Sequence, residues 1–299
     1  MTSREQRIAD FIEPFRVEPG SNVKLARDFE PDFKGTISSK KRGRKLLNQG
    51  IELLAEYQSR LYAQHTHGVL VVLQALDAAG KDGTIRAVMT GINPAGVEVY
   101  SFKQPNSYEL DHDFLWRTAV RLPERGHIGI FNRSYYEEVL VVRVHPEFLD
   151  AQRLTHQPPL KRLWEERYES IREHEKHLAR NGTTILKFWL NVSKQEQRRR
   201  FLSRIEEAEK NWKFQAADIR ERQHWKQYMA SYQEALNATS RPWAPWFVIP
   251  ADDKDYMRML VAEIVVDTLR RLDPQYPKLP REAREELAKM QKRLRKGQA

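Results

Sequence analysis

The sequence of 299 residues contains no cysteine. Disulfide bonds, thiolate metal sites and cysteine nucleophiles are therefore excluded, and the composition agrees with a reducing compartment. The sequence also lacks the run of about 20 apolar residues that a membrane-spanning helix needs. Its first residues lack the apolar segment of a secretion signal. We therefore expect a soluble, cytoplasmic protein that has no membrane partner.

Acidic residues are fewer than basic residues. The chain has 51 Lys and Arg against 41 Asp and Glu, which gives a formal net charge of +10 at pH 7. Such a surplus of positive charge favours polyanionic partners, namely nucleic acid, an anionic membrane or a phosphate polymer. The charge alone does not choose among these partners.

Short apolar segments alternate with segments of helical periodicity along the chain. This alternation predicts an α/β fold, a five-stranded parallel sheet flanked by helices. In such sheets, ligands bind at the carboxyl ends of the strands. The predicted strands are residues 68–76, 97–102, 127–131, 183–190 and 245–250, and the main predicted helices are residues 45–63, 83–90, 109–121, 160–180, 216–238 and 256–272.

Composition divides the chain into three parts. Residues 1–45 mix charge with proline and are predicted to form an extended basic arm, whose cluster Lys40–Lys45 is either a solvated helix start or a handle for a polyanion. Residues 46–275 are predicted to form the main domain. Residues 276–299 are predicted to form a charged helix on the surface.

A helical lid is predicted within the main domain, at about residues 200–225. This segment is rich in Arg and Lys, and cationic side chains in such a lid can neutralise a transferring phosphoryl group. Arg200 and Arg204 are four residues apart and share a helix face. We expect Arg200, Arg204 and Lys213 to contact phosphate, with Arg204 and Lys213 the stronger candidates.

The first predicted strand runs directly into a glycine turn, a lysine and a helix start. Backbone N–H groups and the positive end of the helix dipole converge there, so this segment predicts a phosphate site. It approximates the P-loop (Walker A) pattern, but Ala75 stands in place of the first glycine and Asp82 in place of the magnesium-binding Ser or Thr. The predicted phosphate ligands are Lys81 and the loop residues Ala79, Gly80, Asp82, Gly83 and Thr84.

A carboxylate lies inside this phosphate-binding loop. Asp77 would repel phosphate groups unless a cation lay between them, so it is predicted to bind Mg²⁺. Asn132 follows the third predicted strand, where P-loop enzymes usually have a metal-linked acid. Asn132 either closes a strand turn or serves the site, and Arg133 beside it favours the second interpretation.

Four segments occur in order along the chain: Leu-Asp77-Ala-Ala-Gly-Lys81-Asp-Gly-Thr84, Asp113-Phe-Leu-Trp-Arg117, Phe131-Asn-Arg133-Ser-Tyr-Tyr136-Glu137 and Trp212-Lys-Phe214. With these segments, the chain resembles the type 2 polyphosphate kinase family from about residue 45 to residue 272. The resemblance implies a thymidylate-kinase-like P-loop domain with a helical lid. It also implies Mg²⁺- or Mn²⁺-dependent transfer of phosphoryl groups between inorganic polyphosphate and AMP, ADP or ATP.

The resemblance also implies roles for individual residues. Asp77 would hold metal and position the accepting phosphate, Lys81 would hold phosphates, and Arg117 and Arg133 would stabilise the transferring group. We also expect a homo-oligomer.

One departure concerns the accepting nucleotide. Many members that use ADP or GDP have Phe-Asp-Arg where this chain has Phe131-Asn132-Arg133. The Asn form, with Glu137 four residues after Arg133, resembles the subgroup that accepts AMP as well as ADP.

Two other functions remain open from the residues alone. An ordinary P-loop nucleotide kinase would use ATP as its donor, and the incomplete P-loop and the Arg-rich lid speak against it. A basic nucleic-acid-binding module would need neither Asp77 nor Lys81, and we favour it least.

Overall fold

The computed structural model describes residues 3–35 and 40–297. Within these ranges a six-stranded sheet has the order β1-β6-β5-β2-β4-β3. All neighbouring strands are parallel except β1, which pairs antiparallel with β6. The strands are β1 (Arg16–Val17), β2 (Gly68–Gln74), β3 (Val97–Ser101), β4 (Ile128–Asn132), β5 (Thr183–Asn191) and β6 (Trp246–Pro250).

Helices cover both faces of the sheet. Helices α3, α4 and α12 pack together, and α7, α8 and α11 form a second group. The described helices are α1 (Ser3–Ile12), α2 (Leu25–Asp28), α3 (Lys40–Gln64), α4 (Lys81–Val88), α5 (Ser107–Leu110), α6 (Trp116–Ala119), α7 (Glu137–Val144), α8 (Leu160–Arg180), α9 (Lys194–Glu206), α10 (Ala216–Glu221), α11 (Trp225–Thr239), α12 (Lys254–Leu272) and α13 (Arg281–Arg295).

The prediction of an α/β fold with five parallel strands is confirmed, and the structure adds a sixth strand. All seven residues of β2 are buried, which explains why the strand is an unbroken apolar run in the sequence. Strand β1 has only two residues, Arg16 and Val17, which pair with Phe247 and Trp246 at the sheet edge. A strand this short leaves no alternating pattern to read.

The described part of residues 1–45 differs from the extended arm that the composition predicted. It contains α1, β1 and α2, and the cluster Lys40–Lys45 lies in the first turns of α3. Residues 36–39 of the predicted arm lie outside the described residues. The N-terminal segment therefore forms part of the fold.

Two predicted helices are interrupted. The predicted helix at residues 109–121 is two short helices, α5 and α6. Asn106 and Glu109 cap the start of α5, and in the turn between the two helices the Asp113 side chain accepts a hydrogen bond from the Leu115 N–H. The predicted helix at residues 216–238 is broken by a 3₁₀ turn at Arg222–His224. None of the described helices is long and apolar enough to cross a membrane.

Candidate functional site

The loop between β2 and α4 lies at the carboxyl ends of the central strands. Gly80 has φ +114°, a left-handed conformation that favours glycine, and Met257 Cε would lie 3.1 Å from a Cβ at this position. Helix α4 begins at the next residue, Lys81. Its first N–H groups therefore point out of the strand edge, where an anion would be stabilised by the helix dipole.

Lys81 is tied to this loop. Its Nζ donates a hydrogen bond to the carbonyl oxygen of Ala75 over 2.9 Å, so the side chain folds back along the loop. Burial lowers the pKa of Lys81 to about 8, and the nearby charge of Arg133 adds to this effect. A bound phosphate would oppose both effects by favouring the charged amine.

Arg133 holds two carboxylates in place. It donates to Asp77 Oδ1 over 2.6 Å and to Glu137 Oε2 over 2.8 Å. The charge of Glu137 is the main cause that raises the pKa of Arg133. The residue has φ +64°, and its N–H donates to the Leu73 carbonyl, so β4 ends in a strained turn that directs the guanidinium to the β2 loop.

Asn132 is nearly buried at the end of β4. Its Nδ2 donates to Asp82 Oδ1 over 2.7 Å and to Ser101 Oγ over 3.2 Å. Its Oδ1 is buried without a hydrogen-bond partner among the described residues. An unsatisfied buried oxygen on a side chain that contacts the Asp82 carboxylate can coordinate a cation or accept from an ordered water.

The donor set fits a cation that a phosphate substrate would share. No group of three or more His, Asp or Glu side chains in residues 3–35 and 40–297 is arranged to hold a metal alone. Magnesium is often bound by one or two carboxylates together with substrate phosphates and waters. Asp77, Asp82 and the unsatisfied Asn132 Oδ1 supply oxygen donors of this kind.

Arg117 lies on α6 at the other side of the site. It donates to the Lys103 carbonyl over 2.7 Å and lies 3.6 Å from Glu109 Oε2. Its guanidinium carbon is 5.2 Å from the centre of the Phe102 ring, within cation–π range. These contacts hold the Arg117 side chain in place beside Phe102 and Lys103.

The predicted lid is built from α9, the 3₁₀ turn Ala208–Lys213 and α10. Arg204 donates to Asp218 Oδ2 over 3.2 Å, which joins α9 to α10. Lys213 Nζ lies 4.9 Å from the centre of the Trp212 ring. Trp212 is 78% exposed, so this edge of the lid offers an aromatic face and a cation to solvent.

The structure differs from the lid prediction at Arg200. The residue is buried, and its five N–H groups donate to Glu196 Oε1 and to four backbone carbonyls over 2.5 to 3.2 Å. Those carbonyls belong to Ala78 and Ala79 in the phosphate loop and to Ala251 and Asp252 after β6. Arg200 therefore ties the loop to the neighbouring strand end and has no N–H left for a phosphate.

The backbone N–H groups of two predicted phosphate ligands are already bonded within the loop: the Ala79 N–H donates to the Leu76 carbonyl and the Thr84 N–H donates to the Gly80 carbonyl. Thr84 is fully buried, and its hydroxyl donates to the Gly80 carbonyl within the first turn of α4. Ala79 is buried as well and does not line the cleft. Gly80, Asp82 and Gly83 do line it.

A cleft of about 1100 Å³ unites these features. Of the described residues, eleven cationic side chains and five carboxylates line it. Every predicted catalytic residue, Asn132 included, is also part of the lining. The predicted site residues that line it are Asp77, Gly80, Lys81, Asp82, Gly83, Arg117, Asn132, Arg133, Glu137, Arg200, Arg204 and Lys213.

Sequence reasoning missed several residues of the cleft. Lys254 and Arg258 are four apart at the start of α12, directly after β6, so the rule that ligands bind at strand carboxyl ends could have found them. Asp218 also lines the cleft, and burial together with the charge of Asp77 raises its pKa. No sequence pattern marks Asp218.

Gln197 is a second site residue that no sequence pattern marks. It is buried on α9, and its Nε2 donates to the Asp77 carbonyl over 3.0 Å. Its Oε1 accepts from Arg222 Nε over 3.0 Å. Gln197 therefore connects the backbone of Asp77, the predicted metal ligand, to Arg222 near the C-terminal end of the predicted lid.

Comparison with known proteins gives a consistent result. The sequence profile of the family described as Polyphosphate kinase 2 matches residues 36–277. The chain is 49% identical over 283 residues to "ADP-polyphosphate phosphotransferase" of Rhodopseudomonas palustris, covering 94% of this chain and 98% of that protein. It is 46% identical over 270 residues to "AMP/ADP-polyphosphate phosphotransferase" of Meiothermus ruber, covering 89% and 96%. The crystal structure of polyphosphate kinase 2 from Arthrobacter aurescens TC1 superimposes with a TM-score of 0.82 at 36% identity, covering 91% of this chain and 94% of that one.

Proposed function

Because the chain belongs to the polyphosphate kinase 2 family, we propose that it transfers the terminal phosphoryl group of inorganic polyphosphate to AMP and to ADP, reversibly. The observation that carries this proposal is the cleft, in which cationic side chains outnumber carboxylates by eleven to five. A linear polyanion needs such an excess along its path. The phosphate loop lies within the same cleft, so the polymer's end and the loop would meet there.

Phosphoryl transfer depends mainly on positioning and on charge neutralisation. The N–H groups at the start of α4 and the amine of Lys81 would bind phosphate oxygens in the loop. Arg133 and Arg117 would stabilise charge on the transferring group from two sides. Arg204 and Lys213 of the lid would bind the polymer.

We propose Mg²⁺ or Mn²⁺ as the cofactor. Asp77 would hold it together with phosphate oxygens, and Asp82 and Asn132, which are hydrogen-bonded to each other and line the same cleft, would supply further oxygens. Such a cation supplies neutralisation of phosphate charge and alignment of the two substrates. Arg133 would keep the Asp77 carboxylate oriented toward the cleft through its 2.6 Å hydrogen bond.

The accepting nucleotide is proposed to be AMP as well as ADP. Asn132 leaves the end of β4 without the negative charge of an Asp, and Glu137 is held by Arg133 at the same edge. A monophosphate acceptor is shorter than a diphosphate, and Glu137 would help to place it through a metal or water bridge. One similar protein is named for ADP and another for both AMP and ADP.

The experiment uses the purified protein with polyphosphate, Mg²⁺ and AMP as the sole nucleotide. Chromatography of the nucleotides at successive times measures the products. We expect ADP to form first and ATP later. A parallel reaction starts from ADP and polyphosphate. Rapid formation of ATP from ADP there, together with no formation of ADP from AMP, would contradict the AMP claim and leave the kinase assignment intact. Phosphorylation of AMP by ATP without polyphosphate, and none with polyphosphate, would favour an ordinary nucleotide kinase instead.

A cytoplasmic location is part of the proposal. The lack of cysteine in 299 residues agrees with a reducing compartment. Polyphosphate, AMP, ADP and ATP are the proposed partners, and Asp77 in the phosphate loop supports them over nucleic acid.

A further inference from the structure

A fully buried ion pair joins β5 to α8 inside the protein. Lys187 Nζ lies 2.7 Å from Glu175 Oε2, and neither side chain is exposed to solvent. Burial lowers the pKa of Lys187 to about 8 and raises the pKa of Glu175, because both charges lose their hydration. Replacing such a pair by apolar side chains of similar size is often neutral or stabilising. The stability of the fold therefore does not account for this pair.

Two tyrosine hydroxyls meet at the pair. Tyr135 Oη and Tyr136 Oη each donate to Glu175 Oε1 over 2.9 Å. Lys187 Nζ donates to Tyr136 Oη over 2.8 Å and to the Thr239 carbonyl over 2.9 Å. All three N–H groups of the lysine and both oxygens of the carboxylate are therefore engaged. We call these four buried side chains the Tyr–Glu–Lys cluster: Tyr135, Tyr136, Glu175 and Lys187.

The two tyrosines lie in the turn that carries Arg133. The turn follows β4, and Arg133 has φ +64° there, a conformation that residues other than glycine rarely adopt. Such strain persists only where the surrounding structure fixes the backbone. The Arg133 side chain extends to Asp77 and Glu137 at the cleft, whereas the tyrosine hydroxyls extend to the buried pair. The turn is therefore held from the core as well as from the cleft.

A second buried ion pair holds the chain just after this turn. Arg167, also on α8, donates to Glu138 Oε2 over 3.0 Å and to the Glu138 carbonyl over 2.9 Å. Helix α8 thus contacts the turn and the start of α7 through two charged side chains, Glu175 and Arg167. Neither of them lines the cleft, and Lys187 does not line it either. These charges therefore lie behind the site and do not contact a substrate.

We propose that the Tyr–Glu–Lys cluster positions Arg133 for the reaction. By fixing the turn after β4, the cluster keeps the guanidinium aligned with the Asp77 carboxylate and with the transferring group. The role in turnover rests on the proposed function, in which Arg133 stabilises charge on the transferring phosphoryl group. That charge develops in the transition state, so a loosened turn should lower kcat and leave KM little changed.

The first test removes one hydroxyl at a time. Tyr135→Phe and Tyr136→Phe keep the rings and delete the bond to Glu175. Tyr168→Phe is the matched control, because it removes another buried hydroxyl, one on α8 that accepts from Arg143. Mass spectrometry measures hydrogen exchange of the backbone amides of residues 133–138 without substrate. We expect exchange there to accelerate about threefold to tenfold in both variants, while β5, β6 and the control keep wild-type rates.

Two results of the exchange experiment would contradict the proposal. The first is unchanged exchange of residues 133–138 in both variants. The second is equal acceleration throughout the chain, because that indicates a general loss of stability. This experiment needs no activity. A wild-type protein that transfers no phosphoryl group would therefore refute the proposed function and leave the test of the turn intact.

Kinetics test whether the effect acts through Arg133. We expect Tyr135→Phe and Tyr136→Phe each to lower kcat about threefold to tenfold with little change in KM for polyphosphate or nucleotide. In an Arg133→Ala background the same changes should cause no further loss, because no guanidinium is left to position. A further loss of the same size in that background, or an equal loss in Tyr168→Phe, would overturn the proposal.

A combined variant separates positioning from stability. Tyr135→Phe, Tyr136→Phe, Glu175→Leu and Lys187→Met together remove every polar group of the cluster at nearly constant volume. We expect the melting temperature to be kept or raised, as apolar replacements of buried pairs often show, while kcat falls at least as far as in the single variants. A lower melting temperature with unchanged kcat would show that the cluster serves stability alone.

Discussion

Asn132 Nδ2 donates a hydrogen bond to Asp82 Oδ1 over 2.7 Å, so the end of β4 is joined to the first turn of α4 by a neutral amide. A carboxylate at position 132 could not donate this bond. It would also place two negative charges within hydrogen-bond distance, which is favourable only if a proton or a cation lies between them. Because the Asn132 amide is neutral, the carboxyl end of β4 needs less positive charge from a bound cation than it would with an Asp at this position.

The variant Asn132→Asp tests that relationship. We expect a higher Mg²⁺ concentration for half-maximal rate and a drop of about tenfold in kcat/KM for AMP relative to ADP, corresponding to one charge interaction of about 1.4 kcal/mol. Steady-state kinetics with each nucleotide across a Mg²⁺ titration measures both. Asn181→Asp, exposed at the end of α8, makes the same charge change outside the site and should alter neither value. An unchanged AMP to ADP ratio in Asn132→Asp would contradict this role.

The phosphate loop lysine predicts a pH dependence. The pKa of Lys81 is lowered to about 8, so the free enzyme loses this positive charge as the pH rises through 8 and kcat/KM should fall. Since the unfolded pKa is 10.5, the folded state binds this proton less tightly, and the contribution of Lys81 to stability rises between pH 8 and 10.5. The loss of activity therefore does not come from unfolding at Lys81. Lys81→Arg should flatten the profile.

Removing the charge of Lys81 should be severe below pH 8, where the amine is protonated. We expect Lys81→Ala to reduce the rate by at least about 100-fold with little change in thermal stability, because the amine neutralises developing charge. Lys226→Ala, exposed on α11, is the matched control. A Lys81→Ala enzyme that retains more than a tenth of the rate would refute the phosphate-loop assignment.

The metal assignment is tested at Asp77. A neutral amide binds a divalent cation poorly between two anionic substrates, so Asp77→Asn should abolish turnover at ordinary Mg²⁺ and recover only partly at high Mg²⁺ or Mn²⁺. Titration of each metal against rate is the measurement. Asp111→Asn, on an exposed carboxylate paired with Arg153, should behave as wild type. An active Asp77→Asn enzyme with an unshifted metal optimum would show that Asp77 has a structural role only.

The lid should bind polyphosphate through charge that salt screens. By analogy with nucleic acids, each neutralised phosphate contributes roughly 0.7 to 0.9 to the steepness of log affinity against log salt. The variants Arg204→Ala and Lys213→Ala should therefore each flatten that dependence, whereas Arg162→Ala on the exposed face of α8 should not. If both lid variants keep the wild-type steepness, another basic surface binds the polymer, and Lys40–Lys45 becomes the candidate.

Gln197 is predicted to act by positioning Asp77. Gln197→Ala removes the acceptor of Arg222 Nε and the donor to the Asp77 carbonyl, at a cost of about 1 to 3 kcal/mol. Gln197→Glu keeps the acceptor for Arg222 but cannot donate to Asp77. We expect both variants to lower kcat and raise the Mg²⁺ requirement while KM for polyphosphate changes little. A purely structural role would instead lower the melting temperature of Gln197→Ala and spare the kinetics of Gln197→Glu.

The sequence predicted most of the fold because its patterns are local. Helix α8 has the predicted bounds, since its apolar residues repeat regularly over 21 positions. The predicted parallel strands were found within one or two residues at each end. Strand β1 was missed because two residues carry no periodicity, and the break between α5 and α6 was missed because caps and turns decide it.

The sequence predicted those site residues that directly follow a strand, because the carboxyl ends of parallel strands meet at one edge of the sheet. The rule for strand ends brought Asp77, Lys81, Asn132 and Arg133 together correctly in the cleft. Arg200 lay beyond that rule, because its partners are backbone carbonyls at positions more than 50 residues away, and carbonyls have no residue type to recognise. Gln197 and Asp218 were missed for the same reason, since only the folded chain brings them to Asp77.

The five hydrogen bonds of Arg200 also limit how the lid can move. Four of them join the second turn of α9 to the phosphate loop and to Ala251 and Asp252 after β6, and the fifth, to Glu196, lies within the helix. We therefore expect any opening of the lid to begin beyond Arg200, toward the last turn of α9, and to displace Lys213 and α10. Arg200, which was predicted to contact phosphate as part of the lid, would then be the fixed end of the segment.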